Sequence, residues 1–499
     1  MPRQHSNRLG SRSHSEVVRI PADQSDSNLN TADTTSLRSK KLRMWKLKVG
    51  NTVAQLARAY GTLQTKPQKP NFRLPIFPTR GYIDSMPPIW QAVLDGDGES
   101  VKRQLEYGTD PNTADEDGHT PLLWAARSGH QEVVRALLER NRVNPNRANI
   151  YGLTPLVFAA QNGHEKVVKV LLERSDVNPD IVDQGGHTPL LWAARGGRQE
   201  VVRTLLERND VNPNMANIDG RTPLVFAARN GHERAVKVLL ERSDVNPDIA
   251  DGDGQTPLLW AAQCGHQGVV RTLLERNDVN PTIANEDGLT PLAVAALNGH
   301  KVVVMILLER SDVNPNEADE GGHTPLFWAA CRGHRGVVRI LLQRNDVYPD
   351  TADEYGRTPL WFAARNGHEG VVKVLLERDD VYPDSADKYG QTPLFVAAGY
   401  GRDEVVRALL ERSEVDPNRV DTLNGQTPLG WAAEQGSEGV VRILLEREDV
   451  DINATDKYGK TPLDYAVGCG YLPIQRMLRG EFPHSQLRTN FATNPARAS

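Results

Sequence analysis

The chain has 499 residues, a hydrophobic fraction of 38%, a mean hydropathy of −0.51 and a formal charge of −5. No apolar run approaches the roughly 18 residues that a membrane span needs, so no transmembrane segment is predicted. Three cysteines cannot build a disulfide framework, and residues 1–30 hold no apolar leader core, so a cytoplasmic or nuclear protein is expected, not a secreted one.

Charge divides the chain. Residues 1–85 carry 15 Lys/Arg against 5 Asp/Glu, while the remainder carries 44 against 59, and two parts so different should do different work. Residues 1–85 are expected to form a basic, largely disordered arm. Within them, residues 34–83 hold eleven Lys/Arg and no acid, including "LRSKKLRMWKLKVG". A solvated arm is the plain reading; contact with nucleic acid, an anionic membrane or an import receptor is the sharper one. Leu42, Trp45 and Val49 at i, i+3, i+7 would give such a segment an amphipathic helical face.

From residue 86 to 480 the chain repeats itself. Thr-Pro-Leu begins at Thr120, Thr154, Thr188, Thr222, Thr256, Thr290, Thr324, Thr358, Thr392, Thr427 and Thr461, a period of 34 residues broken once by a single insertion beside Leu423-Asn424. Thr caps a helix start and Pro is suited to the first helical position. In the copy "DGQTPLLWAAQCGHQGVVRTLLERNDVNP", Thr256 and Pro257 therefore open a short helix whose buried stripe is Leu258, Ala261 and Ala262, and Gly265 ends it. Val269, Val270, Leu273 and Leu274 give a second helix one apolar face, and Asn285-Glu286-Asp287-Gly288 forms a projecting turn before the next copy. Helices near ten residues are marginal alone, so stability must come from stacking copy on copy.

The pattern D-x-x-G-x-T-P-L-x-x-A-A-x-x-G-H-x-x-V-V-x-x-L-L resembles the ankyrin repeat over about 390 of the 499 residues. The resemblance implies an all-α ankyrin-repeat solenoid of stacked helix-turn-helix units with projecting turns. A half-matching unit at 86–112, with Ile89, Trp90, Ala92, Gly96, Val101 and Leu105 in register, reads as an N-terminal cap. Residues 481–499 have no periodicity and read as a disordered tail. Two departures stand out. The His of the family's T-P-L-H is replaced in all eleven copies, so its polar tie must be absent or substituted, and the second helix ends in Asn-Asp or Ser-Asp where the family has Gly-Ala. Copies two apart match better than neighbours, as duplication of a 68-residue cassette would produce.

Chemistry is sparse in this pattern. His130, His164, His232, His266, His300, His334 and His368 stand one per copy and so read as loop residues bonding backbone, not as converging ligands. Cys264, Cys331 and Cys469 lack any C-x-x-C spacing, Gly459-Lys460-Thr461 lacks the remaining glycine of a phosphate loop, and Trp124, Trp192, Trp260, Trp328 and Trp431 share one packing slot. No cofactor, metal or catalytic residue is assigned, and a non-enzymatic scaffold or adaptor binding a protein partner is expected. In the ankyrin family partner choice resides in the turn tips and the exposed ends of the first helices. Applied here, and with the preference of interfaces for Tyr, Trp and Arg, that selects Arg332, Tyr355, Trp361, Arg365, Tyr389 and Tyr400 as the binding patch. The competing half of the array holds His119, Arg127 and Arg195. The alternative function is a nuclear transcriptional co-regulator whose basic arm contacts nucleic acid or an import receptor.

Overall fold

A computed structural model describes residues 88–140 and 142–481. The expected basic arm and the C-terminal tail beyond Glu481 lie outside the described residues. Among the described residues there are 24 helices and no strand, arranged as consecutive antiparallel pairs from Pro88–Asp95 with Gly98–Glu106 to Pro462–Cys469 with Leu472–Leu478. The half-matching unit thus forms a helix pair of its own.

Each first helix starts as its sequence demands. Thr256 takes extended backbone, and its hydroxyl accepts the N–H of Leu259 at 3.2 Å, with Pro257 at the first helical position. The same cap recurs at all eleven Thr-Pro pairs, from Thr120 accepting from Leu123 to Thr461 accepting from Asp464. Gly265 closes the helix Pro257–Cys264 in the left-handed conformation, φ 75°.

The first helices pack in a row against one another, and the second helices form a row behind them. The stripe expected at Leu258, Ala261 and Ala262 is too narrow. Pro257, Leu258, Leu259, Trp260, Ala261 and Ala262 are all buried, because each first helix has neighbours on both sides and a second helix beneath. Second helices keep one exposed face. In Gln267–Leu274, Val269, Val270, Thr272 and Leu273 are buried and Arg271 is exposed. Full burial of each Val or Leu contributes roughly 1.5–3 kcal/mol, so the interface between copies dominates the stability.

Turns join the rows. Each begins with Asp or Asn, whose side chain folds back on its own backbone: Asp183 Oδ1 accepts the N–H groups of Gly185 and His187, both at 2.9 Å. The inserted residue widens one turn without disturbing the helices. There Asp421 Oδ1 accepts the N–H of Gln426 at 2.7 Å, and Leu423 is exposed.

Candidate protein-binding surface

Turn tips hold one another through the backbone. Gly252 N donates to Asp219 O at 2.9 Å, Lys388 N to Tyr355 O at 2.8 Å, Thr422 N to Tyr389 O at 2.8 Å and Lys457 N to Asn424 O at 2.9 Å. A partner crossing these tips therefore meets an ordered edge.

Beneath the tips lies a polar network that replaces the missing family histidine. Trp192 Nε1 donates to Asp183 Oδ2 at 2.9 Å, and His187 Nδ1 lies 2.9 Å from Asp183 Oδ1. The amide of Asn217, in the next copy, meets His187 Nε2 at 3.2 Å. Nδ1 thus faces the carboxylate and Nε2 the amide of the next copy. Burial works to raise the Asp183 carboxyl, but hydrogen bonds from His187 and Trp192 outweigh it and hold its pKa below the ordinary value. Trp124, Trp260 and Trp328 reach Asp115, Asp251 and Asp319 in the same way. The tryptophan slot is therefore packing, as its repetition suggested, and also the polar tie.

The Gly-His histidines bond backbone as expected. His164 Nε2 meets Arg127 O at 2.9 Å, His300 meets Gln263 O at 2.9 Å and His368 meets Cys331 O at 3.0 Å, each reaching the end of the preceding first helix. Arg402 fills the same slot and donates to Arg365 O at 3.0 Å. Where the second helix departs from the family, arginine clamps the ends. Arg242 binds Asp244 through Nε and Nη2 at 2.9 and 2.5 Å while its Nη1 donates to Leu206 O at 3.2 Å, a C-terminal carbonyl one copy back. Arg174, Arg208, Arg310, Arg344, Arg378 and Arg447 repeat this geometry. Each stands two residues before an Asp, a spacing the sequence repeats, but only the neighbouring copy shows what the rest of the guanidinium binds.

Of the six residues expected to bind a partner, four are accessible. Arg332 and Tyr400 are exposed at first-helix ends; Tyr355 and Tyr389 are half-buried at consecutive turn tips. Trp361 and Arg365 are corrected. Trp361 is only 2% exposed and donates to Gln391 O at 3.1 Å, because its position on an all-round buried helix leaves it no free face. Arg365 is 6% exposed; its Nη2 donates to Tyr400 Oη at 3.2 Å, and its guanidinium lies 4.8 Å from that ring. It therefore supports Tyr400 from below. His119, in the competing half, is 1% exposed and equally unavailable.

Sequence reasoning missed Arg357 and left the turn-tip residue Lys388 out of the binding patch. Arg357 is buried, pairs with Asp353 at 2.6 Å, and lies 4.7 Å from the Tyr355 ring; Lys388 lies 5.9 Å from that same ring. The signal for Arg357 was the residue before Thr-Pro, which is His119, His187 and His323 in three copies but Arg here and at Arg221. In the first half, Arg127, Arg195 and Arg229 lie 4.8, 5.0 and 4.3 Å over Trp124, Trp192 and Trp260. Among the described residues no three His, Cys, Asp or Glu side chains gather as a metal would require, and no helix is long and apolar enough to cross a membrane.

Comparison with known proteins agrees with this architecture. A family profile described as ankyrin repeats (3 copies) matches in overlapping segments, 89–183, 142–217, 175–251, 209–285, 276–352, 345–421 and 413–486. An ankyrin repeat-containing protein of Schizosaccharomyces pombe is 43% identical over 54 residues, 11% of this chain and 26% of that protein. The human ankyrin repeat domain-containing protein 39 is 43% identical over 51 residues, 10% of this chain and 28% of that protein. The matched segments span about a quarter of each relative. With the profile covering most of the chain and a regular helix pair beneath every match, the protein belongs to the ankyrin-repeat family, whose repeats generally mediate protein–protein interaction.

Proposed function

We propose that the chain is a non-enzymatic scaffold that binds a protein partner across Arg332, Tyr355, Tyr389 and Tyr400, with Arg357, Arg365 and Lys388 holding the tyrosines in place. The observation that carries this reading is the arrangement of Tyr355, Tyr389 and Tyr400. Each is accessible, yet two of them rest against buried cations: Tyr355 against Arg357, which pairs with Asp353, and Tyr400 against Arg365, which also donates to its hydroxyl. Aromatic rings already held in place lose little entropy on binding and suit an interface centre.

The test uses the full chain. Proteins captured by the native chain are compared with those captured by a variant carrying Arg332→Ala, Tyr355→Ala, Tyr389→Ala and Tyr400→Ala. Loss of a specific partner with a melting temperature unchanged within about 2 °C supports the patch. Retention of every partner by that variant, with loss instead on replacing Arg127, Arg195 and Arg229, moves the site to the first half.

A second reading, a nuclear co-regulator, is favoured by the basic excess of residues 1–85. Phosphate contacts release counterions, so DNA binding by the full chain that falls steeply with salt supports it. Binding absent at low salt removes it.

A further inference from the structure

One slot in the loop after each second helix ties that loop to the next copy, and asparagine fills it completely. Asn146 Nδ2 donates to Asp176 O at 2.6 Å while Asn146 Oδ1 accepts from Asn178 N at 2.9 Å. Asn214 makes the same two bonds with Asp244 O and Asn246 N at 2.6 and 2.9 Å, and Asn316 with Asp346 O and Tyr348 N at 2.6 and 2.9 Å. Asn418 repeats them with Asp449 O and Asp451 N, both at 2.7 Å. The slot needs one acceptor and one donor.

In four of the other copies the slot holds aspartate, and in one it holds Thr282. Asp180, Asp248 and Asp350 keep the acceptor bond, from Asn212 N at 2.9 Å, Asn280 N at 3.0 Å and Tyr382 N at 2.7 Å. The other oxygen, Oδ1, is in each case buried with no hydrogen-bond partner. By the repeat's own geometry, the carbonyl that asparagine's amide reaches thirty residues on belongs here to Asp210, Asp278 and Asp380. An ionised carboxylate offers that carbonyl only a second acceptor. A protonated one offers an O–H donor and copies asparagine.

We propose that Asp180, Asp248 and Asp350 are proton-binding latches, which on mild acidification gain the donor that asparagine carries permanently and so tighten the joint between successive copies. The charges around them favour proton uptake. Burial pushes all three carboxyls above the ordinary value, Asp350 to about 6, and the opposing backbone bond is too weak to offset it. From the next copy the charged neighbour is in each case another aspartate, Asp210, Asp278 or Asp380, itself held by Arg208, Arg276 or Arg378. Asp384 differs. Its Oδ1 is also unpartnered, but Arg419 Nη1 donates to its Oδ2 at 2.8 Å, and Asp416 is the opposing like charge. The residues in the Arg419 position beside the three latches are Met215, Ile283 and Ser385, none of them cationic.

The sign follows from linkage. A carboxyl whose folded pKa is raised stabilises the fold fully below its unfolded value near 3.9, and the contribution disappears as pH rises through the folded value. The latches therefore strengthen the array as pH falls toward the ordinary carboxyl value, Asp350 as it passes about 6. His232, His334 and His368 work in the opposite direction, since burial lowers their pKa and they must charge as pH falls. A comparison of variants at each pH cancels their effect.

The experiment measures melting temperature of the full chain from pH 5 to 8 for the native protein and for Asp180→Asn, Asp248→Asn and Asp350→Asn combined. Asparagine already makes both bonds from this slot in four copies, so the variant has a native precedent for its fold. It should melt on the order of 3–6 °C above the native chain at pH 8, with the gap closing toward pH 5. The reverse change, Asn214→Asp, should lower the melting temperature at pH 8 and leave it unchanged at pH 5. Asp379→Asn, on an exposed aspartate, controls for net charge. A gap that does not depend on pH, an Asn214→Asp variant equally damaged at both ends, or the same profile from Asp379→Asn overturns the proposal.

Discussion

Asp183 carries several contacts that the family pattern assigns elsewhere. It accepts hydrogen bonds from its own turn, from His187 and from the Trp192 indole, nine residues ahead. The absence of the family histidine was legible in the sequence; its replacement was not. An indole N–H meets that carboxylate only after the turn has folded back over the helix, and linear spacing does not encode that closure. Removing the carboxylate leaves buried donors on both rings without a partner, which costs about 1–3 kcal/mol. Asp183→Ala should therefore lower the urea midpoint at pH 7. The folded carboxyl is held below its ordinary pKa, so its contribution is present above that ordinary value and is lost as pH falls through the depressed one. The gap between native and variant midpoints should narrow below about pH 4. A gap of constant size across that range would mean the ring contacts, not the charge, matter.

Helix ends were the most legible elements, because Thr-Pro and Gly act through their own backbone. Gly129 shows how a local rule also serves a neighbour. Its φ is 80°, and a β-carbon there would sit 2.6 Å from Nδ1 of His164, the ring that bonds the same helix end from the next copy. Gly129→Ala should destabilise by more than the ~1 kcal/mol that the conformation alone costs. Adding His164→Ala should relieve the clash but not the strain, so calorimetry of the double variant should still show a deficit. What the sequence hid at this scale was burial all round the first helix. Trp361 and Arg365 were assigned to the surface as interface-favoured residue types on the first helix, yet neighbours on both sides enclose them. The Arg242 clamp was hidden for a related reason, since its carbonyl partner lies thirty-six residues away. Arg242→Ala should speed amide exchange in the loop at 206–212 while leaving the distant helix Pro428–Gln435 protected. Uniform acceleration along the array would show the clamp to be global instead.

Across the whole array, near-identity of copies makes fold legible and function obscure. Stacking demands the same Ala-Ala, Val-Val and Leu-Leu pairs in every copy, so they report packing; the accessible slots that vary, such as Arg332 and Tyr400, are too few to name a partner. Stability should then be a sum of weak units and strong contacts between nearest neighbours. Removing the terminal copy deletes one such contact, that of helices Pro462–Cys469 and Leu472–Leu478 with helices Pro428–Gln435 and Glu438–Leu445. A chain ending at Val450 should melt below the full chain, and one ending at Val415 lower still, with the denaturant slope falling as less surface is exposed on unfolding. Coupling through neighbours also predicts that the second loss is at least as large as the first, because each truncation removes one copy and one interface from an array already shorter. If both shortened chains melted with the full chain, the copies would be independent and stacking would not be what holds them.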